Sequence, residues 1–197
     1  MLIETHIFEK DLLSDYATIP IAFEVRSILQ VEALQNGLGG LRLVKQPVSP
    51  FYIKDYDAYE DGPPTTWLRQ FDMHNWGFLL ARASQATQPI GGAAIAWKTN
   101  GVNMLEGRSD LAVLWDIRVQ PQFRGQGIGA SLLARAADWA RQRSCTQLKI
   151  ETQNVNVPAC RFYASQGCEL GVIHRHAYAG QPHVAHETML IWYLRLS

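Results

Sequence analysis

The residues that could most readily do chemistry form a glycine-rich stretch, Arg124–Ala130. Glycines let backbone N–H groups approach a ligand closely, and the free N–H groups at a helix start carry partial positive charge. Arg124 adds a full positive charge beside them. If a strand precedes this stretch and a helix follows it, the turn forms an anion site whose natural guest is a diphosphate.

The segments on either side carry the patterns that such a site needs. Leu111–Val119 alternates, which predicts a strand that Pro121 ends, and Ala130–Arg143 is rich in alanine and leucine at helical spacing. Asp116 and Arg118 are predicted on one face of the strand. The other face is predicted to hold Leu111, Val113, Trp115, Ile117 and Val119.

Three classes of phosphate-binding turn compete for this stretch. A nucleotide-binding P-loop requires a lysine that is missing here. A dinucleotide fingerprint, GxGxx[GA], is matched by Gly125, Gly127 and Ala130, with Glu151 on the next strand as an acidic partner. Against it, four residues including Pro121 separate the strand from the first glycine, and too few residues follow Glu151 for a second nucleotide-binding half. The third class is an acyl-coenzyme A loop.

Two blocks carry a resemblance to a known family. Gln122–Gly129 resembles the [QR]xxGx[GA] signature of the GNAT N-acetyltransferase superfamily. Asn156–Cys168 resembles the family's NxxAxxxYxxxGF element, with Cys168 in place of the phenylalanine. The resemblance covers roughly residues 76–170. It implies an α/β (α+β) fold, with a central mixed, mostly antiparallel sheet flanked by helices, and transfer of acetyl from acetyl-CoA to an amine without a covalent intermediate.

The same resemblance implies which residues hold acetyl-CoA. Backbone groups of Ile117, Arg118 and Val119 would pair with the pantetheine arm like an added strand. Asn156 would hydrogen-bond the arm or order a water, although a helix N-cap explains it equally well. The N–H groups that would hold the diphosphate belong to Arg124, Gly125, Gln126, Gly127, Ile128, Gly129 and Ala130.

The resemblance also suggests a general acid, whereas the general base stays open. Tyr163 is predicted to face the coenzyme sulfur and to protonate the leaving thiolate, with packing under the sheet as the alternative. Asp116 is predicted as the base, as superfamily members often place an acidic residue on this strand. The alternative for Asp116 is an ion pair with Arg118, and Glu151 is a second choice of base.

An acidic N-terminal part is predicted to recognise the acceptor. Residues 1–75 contain six basic and eleven acidic residues, whereas residues 76–197 contain twelve basic and seven acidic ones. Carboxylates and tyrosine faces attract a cationic amine, although a solvated loop is the alternative. Trp67 and Trp76 could line this site or belong to the core. The acidic and aromatic residues are Tyr52, Asp55, Tyr56, Asp57, Tyr59, Glu60 and Asp61.

A narrower resemblance points to the streptothricin acetyltransferases, which would make the acceptor a cationic antibiotic and the role one of resistance. A non-catalytic acyl-CoA sensor and an NAD-binding protein remain the alternative functions. The stretches that carry this resemblance are Lys54–Tyr56, Phe71–Asp72, Ile150–Asn154, Ala159–Tyr163 and Trp192–Arg195.

The remaining segments complete a single predicted domain, residues 1–197, with an acceptor side at 1–75, a coenzyme core at 76–170 and C-terminal strands at 171–197. A helix is predicted over 14–37 and irregular chain over 38–75. Further predicted elements are strands at Gly77–Arg82 and Ile90–Lys98 around a polar turn at 84–88, a strand at Leu148–Thr152, a helix at Pro158–Gln166 and a strand at Glu187–Leu196.

Composition excludes several other classes of protein. Lysine plus arginine equals aspartate plus glutamate, 18 each, so nucleic acid is not an expected partner. Three cysteines without CxxC spacing argue against a disulfide framework or a metal site. No signal peptide or membrane span is predicted. We therefore expect a cytoplasmic protein. The family resemblance implies a small-molecule amine as its partner, and a homodimer remains open.

Overall fold

The structure is a computed structural model, and it describes residues 1–6, 10–83 and 88–196. The described residues form three α-helices and nine strands. They are β1 (Leu2–His6), α1 (Lys10–Ala17), β2 (Phe23–Ala33), β3 (Leu41–Lys54), β4 (Gly77–Arg82), β5 (Pro89–Ala96), β6 (Leu111–Val119), α2 (Ile128–Arg141), β7 (Gln147–Gln153), α3 (Val157–Ser165), β8 (Glu169–His174) and β9 (Met189–Arg195). Short 3-10 helices lie at Leu34–Gly37, Tyr56–Ala58, Pro64–Arg69, Asn103–Leu105 and Pro121–Phe123.

Seven strands form a mixed sheet in the order β1-β4-β5-β6-β7-β9-β8, and β2 and β3 form a separate two-stranded sheet. The pairs β1–β4, β4–β5, β5–β6 and β8–β9 are antiparallel, whereas β6 and β7 are parallel because α2 connects them as a crossover. A mostly antiparallel sheet flanked by helices confirms the predicted fold class. It does not match the parallel sheet of a dinucleotide-binding fold.

By their internal contacts, the residues divide into two compact units. The first comprises Met1–Ala22, Asp55–Ile150 and Leu194–Ser197, and the second comprises Phe23–Lys54 and Glu151–Tyr193. The single domain predicted from the sequence stays a prediction.

The first unit buries both faces of its central strand β5. Every residue of β5 is buried, and small residues there let neighbours approach closely: a side chain at Gly91 would meet Ile128 and Leu132 of α2. On the opposite face, α1 packs into an aromatic cluster, which comprises Leu12, Leu13, Tyr16, Ile19, Trp67, Met73, Trp76, Phe78, Leu80, Ala94, Ala96, Val102, Leu105 and Val113.

The second unit is built around the β2–β3 hairpin and α3. Asn154 fixes the hairpin, since its carbonyl accepts from the Leu29 N–H and its side chain donates to the Leu29 carbonyl. A buried ion pair joins Lys54 at the end of β3 to Glu187, with the Nζ–Oε1 atoms 2.5 Å apart. These contacts hold both strands of the hairpin within its unit.

The N-terminal predictions were partly wrong. The helix predicted over 14–37 is only the end of α1, and β2 follows it, because Phe23, Val25, Ile28 and Val31 favour a strand. Gly37 is a turn residue of the hairpin, with a φ of +100°, and not a helix stop. These residues therefore reverse the chain instead of ending a helix.

The irregular chain predicted over 38–75 was also wrong in part. Residues Leu41–Lys54 form β3, although Pro47 and Pro50 interrupt its pattern. Proline is tolerated in such a strand because, among the described strands, β3 pairs with β2 alone and leaves its other edge unpaired.

The predicted elements at β4, β5, β6, α2, β7, α3 and β9 are confirmed within a few residues. Of the polar turn predicted at 84–88, residues 84–87 lie outside the described residues. No helix in the described part of the chain is long and apolar enough to cross a membrane.

Candidate active site

The glycine turn joins β6 to α2 in an open conformation. Gly125 and Gly127 have φ values of +78° and +82°, a region that side chains rarely adopt. A Cβ at either position would meet no atom of the described residues within 4 Å. The left-handed backbone therefore leaves open space beside both glycines.

The start of α2 supplies N–H groups that the helix itself does not use. Gly127 is the N-cap of α2 and provides no side-chain cap. The first helical bond runs from the Ser131 N–H to the Gly127 carbonyl, at 3.0 Å. The N–H groups of Ile128, Gly129 and Ala130 therefore lie before the helical ladder. They can donate to an anion above the turn.

The side chain of Arg124 is hydrogen-bonded to backbone carbonyl groups of its own unit. Its guanidinium donates to the backbone carbonyls of Val119 at 3.0 Å, Ala22 at 3.1 Å and Pro20 at 3.4 Å. Partial burial lowers the pKa of this side chain. The structure therefore assigns Arg124 to fixing the 20–22 segment against the turn, and its contact with a diphosphate stays a prediction.

β6 is longer than the ladder of residue pairs that it forms with β7. The parallel ladder pairs Leu111–Leu114 with Gln147–Ile150, whereas β6 continues to Val119. On the other edge, Ile117–Val119 pair with Gly91–Ala93 of β5. Within the described residues, the open edge of Ile117–Val119 could therefore accept an extended ligand as an added strand.

A β-bulge at Trp115 corrects the predicted faces of β6. Asp116 pairs with Ala94 and Leu114 with Ile95, so Trp115 has no partner on β5. Trp115 packs against the aromatic cluster, and Asp116 accepts from Tyr16 of the same cluster at 2.6 Å. The prediction that Asp116 and Trp115 point to opposite faces was wrong, because simple alternation does not hold across a bulge.

Asp116 lies in a buried hydrogen-bonded network. Arg118 Nε donates to Asp116 Oδ1 at 2.9 Å and Arg118 Nη2 to Oδ2 at 2.7 Å. Both carboxylate oxygens therefore accept bonds from Arg118, and Tyr16 adds a third. The ion pair that the sequence left open as an alternative is the arrangement observed, and a role as base stays a prediction.

Tyr16 and Asp57 complete this network. Burial, together with the charge of Asp116, raises the pKa of Tyr16 well above its ordinary value, so its hydroxyl stays protonated and donates. Asp57 accepts from Arg118 Nη1 at 2.9 Å and from Nη2 at 3.3 Å. For Arg118, burial lowers the pKa, but the nearby Asp116 charge and the other partners raise it more, to a net value above the ordinary one.

The second unit contains Asn156 and Tyr163. Asn156 is the N-cap of α3, and its Oδ1 accepts from the Ala159 N–H at 3.2 Å. The capping role is therefore observed, and a contact with coenzyme stays a prediction. Tyr163 is buried on α3, 5% exposed, with its ring 5.2 Å from that of Phe162. Burial is compatible with packing, so the acid role of Tyr163 also stays a prediction.

The predicted acceptor residues have mixed surroundings. Trp76 is buried and donates from Nε1 to Thr99 Oγ1 at 3.0 Å, and its ring packs in the aromatic cluster, as does that of Trp67. The core alternative is thus the one observed for both tryptophans. Asp55 caps the 3-10 helix of Tyr56 by accepting from the Asp57 N–H, whereas Tyr52 is exposed on β3.

A comparison with protein families matches residues 44–168 to the acetyltransferase (GNAT) family, which is more than half of the chain. The chain belongs to the acetyltransferase (GNAT) family. This membership confirms the resemblance found in the glycine turn and in the Asn156–Cys168 block.

Individual GNAT relatives agree with this assignment. A streptothricin acetyltransferase of Escherichia coli is 41% identical over 85 residues, which cover 43% of this chain and 49% of the relative. The chain spans about half the length of the first curated relatives it matches. The likeness therefore rests on the shared half.

Solved GNAT structures show the same fold. A nourseothricin acetyltransferase structure covers the full length of both chains with a TM-score of 0.75 at 21% identity. A Bacillus anthracis str. Ames structure in complex with acetyl coenzyme A has a TM-score of 0.73 at 24% identity, covering 98% of this chain and 99% of that one. At this identity the likeness concerns the fold alone.

Two partners of this GNAT site were missed by the sequence analysis. Tyr16 lies inside the segment 14–37 that was wrongly predicted as one long helix, and Asp57 was named only as one of several acidic residues. A signal did exist: an arginine on a strand expected to be buried needs more than one acceptor. It could not tell which distant residues supply them.

Proposed function

We propose that this chain transfers the acetyl group of acetyl-CoA to a primary amine of a small cationic molecule. The observation that carries the proposal is the open, left-handed turn at Gly125–Gly127 with unused N–H groups at the start of α2. Free N–H groups at a helix start can donate hydrogen bonds to a diphosphate, which supports the proposal. Family membership supports the coenzyme, since a structural neighbour was solved with acetyl coenzyme A.

The site residues predicted from the sequence have defined parts in the proposed reaction. The N–H groups of Arg124–Ala130 hold the diphosphate, and the Ile117–Val119 backbone, with Asn156, holds the pantetheine arm and polarises the thioester carbonyl. The amine nitrogen forms a bond to the carbonyl carbon, and the carbon–sulfur bond breaks. Tyr163 gives its proton to the leaving thiolate, and the proton that the new amide nitrogen loses restores the Tyr163 hydroxyl through solvent.

Deprotonation of the incoming ammonium requires a base or a water. Asp116 is the base predicted from the sequence, but it would have to accept that proton while both of its oxygens are hydrogen-bonded. The observed network favours a structural role for Asp116 over a direct one, and Glu151 remains the second choice. A covalent route through Cys160 is disfavoured because burial raises the pKa of that thiol.

The proposed acceptor class is a cationic amine of the streptothricin type. Two features support it: the excess of carboxylates in residues 1–75, and the identity shared with streptothricin acetyltransferases over about half of their length. A resistance role, a cytoplasmic location and a homodimer are parts of the same proposal.

The test is a screen of amines with the full chain and acetyl-CoA, in which release of coenzyme A thiol is followed. Streptothricin is the first substrate, followed by spermidine and lysine. We expect turnover with at least one cationic amine, with streptothricin the fastest. Tight acetyl-CoA binding without turnover on any amine would favour the acyl-CoA sensor, and a thermal shift with NAD but not with acetyl-CoA would favour the NAD-binding alternative.

A further inference from the structure

Arg118 is the centre of a buried network that joins three separate segments. It lies on β6, contacts Asp57 in the short helix Tyr56–Ala58, and reaches the carbonyl of Ile19 beyond α1. We propose that Arg118 is a positioning residue, which holds the Asp57 carboxylate in place to receive the cationic acceptor. This inference rests on the proposed function.

All three guanidinium nitrogens of Arg118 donate hydrogen bonds. Arg118 is 3% exposed and makes bonds from Nε, Nη1 and Nη2 to two carboxylates and one carbonyl. Its guanidinium also lies 5.2 Å from the ring centroid of Tyr16. A lysine has one ammonium and no planar fork, so it could not hold both carboxylates in this arrangement.

Glycine makes room for the network. Gly92 is the cross-strand partner of Arg118, and a Cβ at Gly92 would lie 2.6 Å from the Tyr16 ring. Any side chain there would push Tyr16 away from Asp116. The close packing therefore fixes the hydroxyl and the guanidinium at the same time.

The charges in the network do not cancel. Asp57 and Asp116 carry two negative charges against the single positive charge of Arg118, while Tyr16 stays neutral. The side chain of Asp116 is 7% exposed and that of Asp57 is 23% exposed, so the surplus negative charge lies nearest to solvent at Asp57. A cationic amine is the ligand class that this charge attracts.

Stability alone is a poor explanation of this arrangement. Buried ion pairs are often no more stabilising than apolar side chains of the same volume, because desolvation offsets the attraction. What such a network does provide is a carboxylate with a fixed direction. Arg118, which orients the Asp57 carboxylate, lies on β6 between Ile117 and Val119, whose backbone is proposed to hold the pantetheine arm. An acceptor held by Asp57 would therefore be fixed by the same strand as the coenzyme.

The experiment compares steady-state kinetics of the full chain and three variants, with acetyl-CoA and streptothricin. Where streptothricin is not turned over, the fastest amine of the screen replaces it. The variants are Asp57→Asn, Arg118→Lys and Asp138→Asn; the last removes one negative charge from an exposed position on α2, outside the predicted acceptor residues, and serves as the control for net charge. Thermal melting confirms that each variant is folded.

We expect Asp57→Asn and Arg118→Lys to raise the KM for the amine at least tenfold and to leave the KM for acetyl-CoA within twofold. Asp138→Asn should change both by less than twofold. An amine KM for Asp57→Asn equal to that of Asp138→Asn, in an active enzyme, overturns this inference alone. A wild-type chain without turnover on any amine overturns the proposed function together with it.

Discussion

Replacing Gly127 by alanine measures the stability cost of a side chain in the glycine turn, and this cost can be compared with the loss of affinity for acetyl-CoA. A residue with a side chain at a left-handed φ costs about 1–2 kcal/mol relative to glycine. No atom lies within 4 Å of a Cβ at Gly127, so strain and not a clash sets the cost. For a chain of this size that lowers the melting temperature by about 2–8 °C.

Gly101 provides the matched control. Its φ of +84° is close to the +82° of Gly127, and its built Cβ touches only the Phe71 ring at 4.0 Å. The turn at Gly101 follows the end of β5, whereas Gly127 follows the end of β6, the antiparallel partner of β5. The Gly101→Ala variant should therefore lose the same stability and keep its affinity for acetyl-CoA.

The charged variant gives the larger effect. A carboxylate about 4 Å from a bound diphosphate charge is repelled by about 4 kcal/mol at an effective dielectric constant of about 20. This corresponds to about a thousandfold loss of affinity for Gly127→Glu. Gly127→Gln has the same bulk without the charge and should lose less.

Isothermal titration calorimetry with acetyl-CoA measures these affinities. The expected order of dissociation constants is wild type and Gly101→Ala lowest, then Gly127→Ala, then Gly127→Gln, with Gly127→Glu highest. A folded Gly127→Glu chain that binds acetyl-CoA as tightly as wild type would refute the assignment of the turn.

Three further predictions concern the chemistry. Tyr163→Phe should keep its affinity for acetyl-CoA and lose about 10²–10⁴-fold in kcat, as measured by thiol release; an unchanged kcat would remove the acid role. Activity should rise from pH 6 to pH 9, because an alkyl ammonium with a pKa near 10 must lose its proton before attack; a flat profile argues against the need for a base. Burial and Asp116 raise the pKa of Tyr16 above its unfolded value of about 10, so the stability it contributes is fully present below pH 10 and is lost as the pH rises through the folded value. The melting temperature of wild type should therefore fall more steeply with pH above pH 10 than that of Tyr16→Phe. An equal fall in both proteins would contradict this.

The glycine turn and its flanking elements could be predicted because their signals are local. The strand–turn–helix order, the two glycines at positive φ and the start of α2 follow from residue types within about 30 positions of one another. The Asn156–Cys168 block was found for the same reason. Family membership then confirmed what these short patterns indicated.

The hairpin and the bulge could not be predicted because they depend on pairing. Residues 23–33 mix apolar and charged types in a way that fits a helix nearly as well as a strand, and only β3 decides between them. The bulge at Trp115 arises from its packing against the aromatic cluster. Alternation along one strand contains no information about such a partner.

The network around Arg118 was the feature that the sequence could predict least. Tyr16 and Asp116 are 100 positions apart, and Asp57 and Arg118 are 61 apart, so no spacing rule connects them. Sequence reasoning reached the pair Asp116–Arg118, two positions apart on one strand, and correctly kept their ion pair as an alternative. Tertiary packing adds the other two members and changes how Asp116 can act.

A crystal structure of the full chain with acetyl-CoA would show directly where the coenzyme binds. We expect the diphosphate above the Gly125–Gly127 turn, with oxygens within about 3.2 Å of N–H groups in the Gln126–Ala130 stretch. A coenzyme bound elsewhere with this turn empty, or NAD bound at the turn in place of acetyl-CoA, would contradict this expectation.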